Sequence, residues 1–278
     1  MNTFKRIIAA AVVTYLLLTS LVFAQAVDPA ALLFDAYAQK HPIPVLSATM
    51  PNLDVKAAYE IQKAYLQKRL EADKIGGFKA GLTTPAAQER FGVTSPVTGI
   101  LFASGKLADG ANVDSTAFRG LMLETEIGFV IGEAITQPVK DAAELQQKVR
   151  GVFPAIELPE MGFADMKQLK GVDIIAADVS AVQFIVGAEQ ALAGQDVNVV
   201  TVNLTLNGES VNTGTGKEAL GDQWQAALWL VNSIIEQGWT IEPGHVLMTG
   251  ALGKMIPGKP GKYIADYGDF GKIAFEVK

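Results

Sequence analysis

Two glutamates separated by one residue, Glu124 and Glu126, sit in the run LMLETEIGFVIG, which otherwise has the composition of a buried strand. Strand side chains at i and i+2 share a face. Met122, Glu124 and Glu126 therefore point one way, and Leu123, Thr125, Ile127 and Phe129 the other. Two like charges on one sheet face repel, and burying them without a partner is strongly unfavourable. Apart from this pair, no charge occurs between Arg119 and Glu133. The spacing is open to two readings: an exposed face with ordinary charges, or a site for a hard divalent cation that prefers oxygen ligands. Glu157, in PAIEL, has similarly apolar neighbours and would add a third ligand if its strand lies beside the first.

The 278 residues, 49% of them hydrophobic, suffice for one large domain, and no low-complexity tract or internal repeat is evident. Residues 1–24 read as a signal peptide rather than as part of the fold. Lys5 and Arg6 precede an uncharged apolar run, Ile7 to Phe23, which ends in small residues suited to cleavage after Ala24, with Ala26 as the second choice. An uncleaved anchor is the other reading of that run. The expectation is a periplasmic or secreted protein comprising residues 25–278. Lysines and arginines number 23 against 29 acids, a net charge of −6; removing Lys5 and Arg6 leaves 21 against 29, or −8. An acidic chain without a basic cluster does not suggest a nucleic-acid partner. The absence of cysteine excludes a lipid-anchored lipoprotein, a thiol nucleophile and thiolate zinc sites. His41 and His245 have no acid partner in a recognisable motif and read as structural, His245 in the turn Glu242-Pro243-Gly244.

Along the chain, Asp28 to Ala38 reads as a short helix. Asp54 caps a second helix running to about Ala72, with Gly76-Gly77 as its stop. Phe78 to Leu82, Gly99 to Phe102, Leu121 to Ile131, Val152 to Leu158, Gln183 to Val186, Val199 to Leu206, Val246 to Thr249 and Lys272 to Val277 read as strands. Asn207-Gly208 signals a hairpin. Asp141 to Arg150 reads as a polar helix, and Asp173 to Ala176 as a short helical or looped segment. Asp222 starts a helix, with Gln225 in a capping-box position, a buried stripe of Trp224, Leu228, Val231 and Ile235, and Gly238 as its stop. Strands outnumber helices and several are joined by hairpins, which predicts a mostly antiparallel α+β architecture rather than a doubly wound one.

Lys79 lies in Gly77-Phe78-Lys79-Ala80-Gly81. It reads either as a solvent-facing lysine or as a buried amine available for proton transfer or for holding an anion. Gly214-Thr215-Gly216-Lys217 fails as a phosphate loop, since Val211 stands where glycine is required and Glu218 where Ser or Thr is. Gly250-Ala251-Leu252-Gly253 opens no helix and is no dinucleotide fingerprint. No Gly-x-Ser-x-Gly or His-Glu-x-x-His motif occurs.

Taken together, AAYEIQ (57–62), GFKAGLTTPAAQERFGV (77–93), GILF (99–102), LETEIGFV (123–130), PAIEL (154–158), the segment around Ser180, the helix from Trp224 to Asn232 and LMTGALGKMIPGKPG (247–261) resemble one group of enzymes. It is the 2-hydroxypenta-2,4-dienoate hydratase and 4-oxalocrotonate decarboxylase branch of the fumarylacetoacetate hydrolase superfamily. The resemblance implies a mixed β-roll like the superfamily's C-terminal domain, with a small helical N-terminal part at about residues 28–75. It implies Mg²⁺ or Mn²⁺ held by Glu124, Glu126 and Glu157, Lys79 as a catalytic residue, and Ser180 and Thr249 as substrate-binding residues. It also implies a homo-oligomer and a lyase acting on short 2-oxo or 2-hydroxydienoic acids through a metal-stabilised enolate, hydration being the first expectation. Decarboxylation of a 4-oxalocrotonate-type acid, or an exported protein that binds a 2-oxo acid without converting it, are the alternatives. The additional metal-binding aspartate and the Thr-Ala-Arg-Asp-like segment of the carbon–carbon hydrolases are missing here. One departure stands out: Ser95-Pro96-Val97-Thr98 has Val97 where many hydratases carry an aspartate with a part in proton handling. Such enzymes usually serve cytoplasmic breakdown of aromatic compounds, so an export signal is unusual.

Overall fold

The computed structural model describes residues 27–193 and 196–278. The expected signal peptide lies outside the described residues. Among the described residues, no helix is long and apolar enough to cross a membrane.

The chain opens with α1 (Pro29–Ala38) and α2 (Val55–Leu70), capped by Asp28 and Asp54, whose carboxylates accept from Ala30 N and Ala57 N. Next come β1 (Ile75–Gly81), α3 (Pro85–Phe91), β2 (Val97–Phe102), β3 (Lys106–Ala108) and β4 (Asn112–Val113). The central hairpin is β5 (Met122–Ile131) and β6 (Val149–Leu158), with α4 (Ala142–Lys148) in its connection. α5 (Gly171–Ala176), β7 (Gln183–Val186), β8 (Thr201–Leu206), β9 (Glu209–Thr215) and α6 (Gln223–Glu236) follow. The chain ends with β10 (Val246–Met248), β11 (Ile256–Pro257), β12 (Gly261–Asp266) and β13 (Lys272–Val277).

Two sheets result. The larger runs β2-β1-β10-β5-β6-β7-β3, with β11 also paired to β5; the smaller runs β4-β13-β12-β8-β9. Most pairs are antiparallel, while β1–β10, β3–β7 and β4–β13 are parallel. One face of the large sheet presents Leu123, Ile127, Phe129 and Ile131 to a core shared with Leu204, Tyr263, Ile273 and Phe275 of the small sheet and Leu230 and Ile234 of α6. α1, α2 and α5 build a second cluster around Leu33, Ala58, Tyr65 and Ile175. The opposite face of the large sheet carries a smaller apolar patch, Leu101, Phe153, Phe184 and Met248. The charged residues of interest share this opposite face.

Two local expectations need correction, and one element was not foreseen. Gly76 and Gly77 do not stop α2, which ends at Leu70; they lie within β1. The backbone of parallel β10 runs so close that a Cβ on Gly77 would fall 2.1 Å from the Val246 carbonyl oxygen. The buried face of α6 is Ala226, Ala227, Leu230, Val231 and Ile234 rather than the stripe through Trp224, Leu228 and Ile235. The two alanines allow close approach to the sheet, and Trp224 stands at the rim, edge-on to Phe129 at 4.9 Å. Finally, α3 was not anticipated, although Thr84 as N-cap and Pro85 at the first helical position announce it.

Candidate active site

Strand register assembles the carboxylates. β5 and β6 pair so that Glu124 stands opposite Glu157 and Glu126 opposite Ala155. Met248 of β10 links Gly128 of β5 to Lys79 of β1, which places the lysine on the same face two strands away. Lys79, Glu126 and Glu157 are buried; Glu124 keeps partial contact with a pocket of about 440 Å³. Lys79 and Ser180 line the same pocket, whose walls include Leu82, Phe91, Met161 and Val179; Arg90 and Lys254 add positive charge to its lining.

Lys79 Nζ donates to Glu157 Oε1 at 2.5 Å and to the Val179 carbonyl at 3.1 Å. An ammonium has three N–H groups, so one remains for a ligand in the pocket. Burial, the largest influence on Lys79, works against its charge, but Glu157, Glu124 and Glu126 together outweigh burial and raise its pKa. Burial, then Glu157, pushes Glu124 up to about 7, with Lys79 pulling the other way. Burial, then Glu157 and Glu124, raises Glu126 well above the usual carboxylate range, against Lys79 and the Gly250 N–H that donates to its Oε2 at 2.8 Å.

The donor set fits a divalent cation. One oxygen from each of the three glutamates lies within 4.8 Å of the others. Glu126 Oε1 and Glu157 Oε2 are buried and lack any hydrogen-bond partner. Oxygens around one Mg²⁺ at about 2.1 Å are at most about 4.2 Å apart, so small side-chain adjustments close the trio on an ion. A cation would satisfy both orphaned oxygens and offset the burial and the repulsion that hold the carboxyl pKa values up.

Thr249 is not brought to the pocket. Met248 faces Lys79, so its neighbour faces the opposite side of the sheet. The Thr249 hydroxyl is fully buried there, 2.5 Å from Gln223 Oε1 and 3.2 Å from the Ile127 carbonyl. The next residue, Gly250, lines the pocket and supplies the N–H that steadies Glu126. Val97 is buried in the helical cluster with Val179.

Sequence reasoning missed Asp178. It is 1% exposed, its Oδ1 accepts from Ile100 N at 2.7 Å, and its Oδ2 has no partner. Burial pushes its carboxyl up to about 7, against the Ile100 hydrogen bond and the charges of Arg69 and Lys79. A signal was present: Asp178 is the one charge between Asp173 and Glu189, the isolation that singles out the glutamate pair.

Residues 78–277 match the family model described as Fumarylacetoacetate (FAA) hydrolase C-terminal. A 2-keto-4-pentenoate hydratase from Paraburkholderia xenovorans (strain LB400) is 32% identical over 231 residues, covering 82% of this chain and 86% of that protein. A 4-oxalocrotonate decarboxylase from Pseudomonas sp. (strain CF600) is 28% identical over 226 residues, covering 81% and 85%. Among solved structures, 4-oxalocrotonate decarboxylase from Pseudomonas putida G7, complexed with magnesium and adipate, superposes with a TM-score of 0.84 at 26% identity, covering 90% of this chain and 96% of that one. The same decarboxylase complexed with calcium and acetate gives 0.82.

Proposed function

Because the chain belongs to the fumarylacetoacetate hydrolase C-terminal family, we propose that it is a divalent-metal-dependent lyase for short 2-oxo or 2-hydroxydienoic acids, with hydration of a 2-hydroxypenta-2,4-dienoate-type substrate as its reaction. The observation that carries this reading is the meeting of one buried lysine and three carboxylates, two with orphaned oxygens, beside a pocket large enough for such an acid. Glu124, Glu126 and Glu157 would hold Mg²⁺ or Mn²⁺, and the ion would supply positive charge against the negative charge that develops on the substrate's 2-oxygen.

The protein's own groups do the rest. Arg90 and Lys254 favour entry of an anion. Leu82, Phe91 and Met161 give the pocket apolar walls that limit water around the reacting carbons. Lys79, kept protonated by the glutamates, presents its third N–H to the substrate. It acts as a positioned donor, steadying the substrate carboxylate or delivering a proton to carbon. Ser180, in the lining of the same pocket, would add a further polar contact.

Decarboxylation of a 4-oxalocrotonate-type acid is the second reading. What favours it is Val97, buried among apolar side chains where an aspartate serves hydration in many hydratases. Incubation of the purified protein with Mg²⁺ and each acid separates the two: hydration consumes water and releases no CO₂, whereas decarboxylation releases one CO₂ per turnover. Binding of a 2-oxo acid, seen as thermal stabilisation, without any product would overturn the lyase reading in favour of a binding protein. Calorimetric Mg²⁺ titration of Glu126→Gln is expected to show at least tenfold weaker binding; unchanged affinity would refute the metal assignment. Export, supported by the apolar N-terminal run alone, and self-association, supported by the resemblance, belong to the same proposal; N-terminal sequencing of the mature protein tests the first and light scattering the second.

A further inference from the structure

Asp178, Val179 and Ser180 all have positive φ, at 57°, 49° and 61°. Three consecutive non-glycine residues in the left-handed region are rare, and for β-branched valine the conformation is a genuine outlier. Strain of this kind persists only where the surroundings over-determine it, and it gathers at functional sites. At one end of the turn, the Ser180 carbonyl accepts from Glu160 N at 2.9 Å; at the other, Ser180 N donates to the Ala177 carbonyl at 3.1 Å. Between these anchors, the Asp178 carboxylate ties the turn to the sheet through Ile100 N. β2 is an edge strand, and Asp178 there takes the place of a further strand. Gly99 leaves the room: a Cβ at that position would lie 2.8 Å from the Asp178 carbonyl oxygen and 3.1 Å from its Oδ1. The product of this arrangement is the direction of one carbonyl, that of Val179, which accepts from Lys79 Nζ.

We propose that Asp178 is a positioning residue for Lys79: its carboxylate clamps the strained turn, so that the Val179 carbonyl and Glu157 together fix the ammonium with one N–H directed into the pocket. Lys79 bridges the turn and the glutamates, donating to the Val179 carbonyl on one side and to Glu157 on the other. Without the clamp, the Val179 peptide can rotate into an unstrained conformation. Lys79 then keeps only its Glu157 contact and loses its aim. The inference rests on the lyase reading for its kinetic readout and on geometry for the rest.

The test compares Asp178→Ala, Asp178→Asn and Gly99→Ala with the parent protein, using kcat and KM with Mg²⁺ and 2-hydroxypenta-2,4-dienoate, Mg²⁺ affinity, and crystal structures. Asparagine keeps an acceptor oxygen for Ile100 N, so Asp178→Asn is expected to retain kcat within threefold. Asp178→Ala and Gly99→Ala are expected to lose at least tenfold in kcat, with KM and Mg²⁺ affinity within threefold. In their crystals the Val179 carbonyl should have left Lys79 Nζ. A kcat for Asp178→Ala within twofold of the parent, equal losses for the asparagine and alanine variants, or a Lys79–Val179 contact still near 3.1 Å in the alanine variant would each overturn the proposal. Should Asp178→Ala fail to fold, Gly99→Ala and Asp178→Asn decide by the same criteria. If the parent protein turns over none of the acids, the lyase reading fails, and the crystallographic contact alone judges the clamp.

Discussion

Lys79 and Glu157 form an ion pair with almost no solvent contact, their side chains 3% and 0% exposed. Such a pair is a poor device for stability, because desolvation offsets most of the attraction, yet removing one partner leaves a buried charge uncompensated. This sets a testable asymmetry. Lys79→Met removes a cation that competes with a metal for Glu157, so Mg²⁺ affinity should hold or rise in calorimetry. Turnover should fall about 10²–10⁴-fold, the usual contribution of a positioned proton donor. A variant that lost metal affinity and activity together would place Lys79 in the structural support of the metal site rather than in proton transfer.

The edge of β2 is protected by side chains rather than by another strand. Tyr59 Oη accepts from Thr98 N at 3.0 Å, Gln62 Nε2 donates to the Thr98 carbonyl at 2.9 Å, and Asp178 takes Ile100 N. Gln62 also donates to the Ile175 carbonyl at 2.9 Å, which ties α2, α5 and β2 together. Gln62→Ala strands two buried carbonyls and should cost about 1–3 kcal/mol. That corresponds to a Tm lower by roughly 2–10 °C in calorimetry. α3 behaves differently: none of its residues is buried, and the Thr84 hydroxyl accepts from Ala87 N at 3.2 Å. Thr84→Ala should cost that helix about 1 kcal/mol. Its amides, residues 86–91, should exchange faster with deuterium while the global Tm stays nearly constant. Since α3 walls the pocket, KM should rise more than kcat falls.

For the molecule as a whole, the buried acids tie stability to pH and to metal. Glu124 and Asp178 titrate near 7 in the folded protein against ordinary values of 4.5 and 3.8 unfolded. Between those limits the folded state binds more protons than the unfolded one, so stability falls as pH rises. The metal-free protein should therefore lose Tm between about pH 4.5 and 7. On the proposed metal assignment, Mg²⁺ or Mn²⁺ would take over the compensating role of those protons at the glutamates and should restore most of the loss at pH 7 and above. Thermal denaturation across this range, with chelator and with metal, checks the sign; a metal-free Tm that climbs from pH 5 to 7 would contradict it.

The carboxylate face of β5 was legible from sequence because a strand's alternation is local: Glu124 and Glu126 share a side whatever surrounds them. Helix caps at Asp54 and Asp222 and the Asn207-Gly208 hairpin were legible for the same reason, each depending on a few neighbouring residues. The shared face of Lys79, the opposition of Glu157 to Glu124 and the turn of Thr249 into the core depend on register between strands far apart in the chain. Asp178 meets Ile100 across 78 positions, and its importance rests on a backbone strain that no local pattern records. Local covalent geometry decided which side chains could act; the sheet's register, set by the packing of both cores, decided which of them meet.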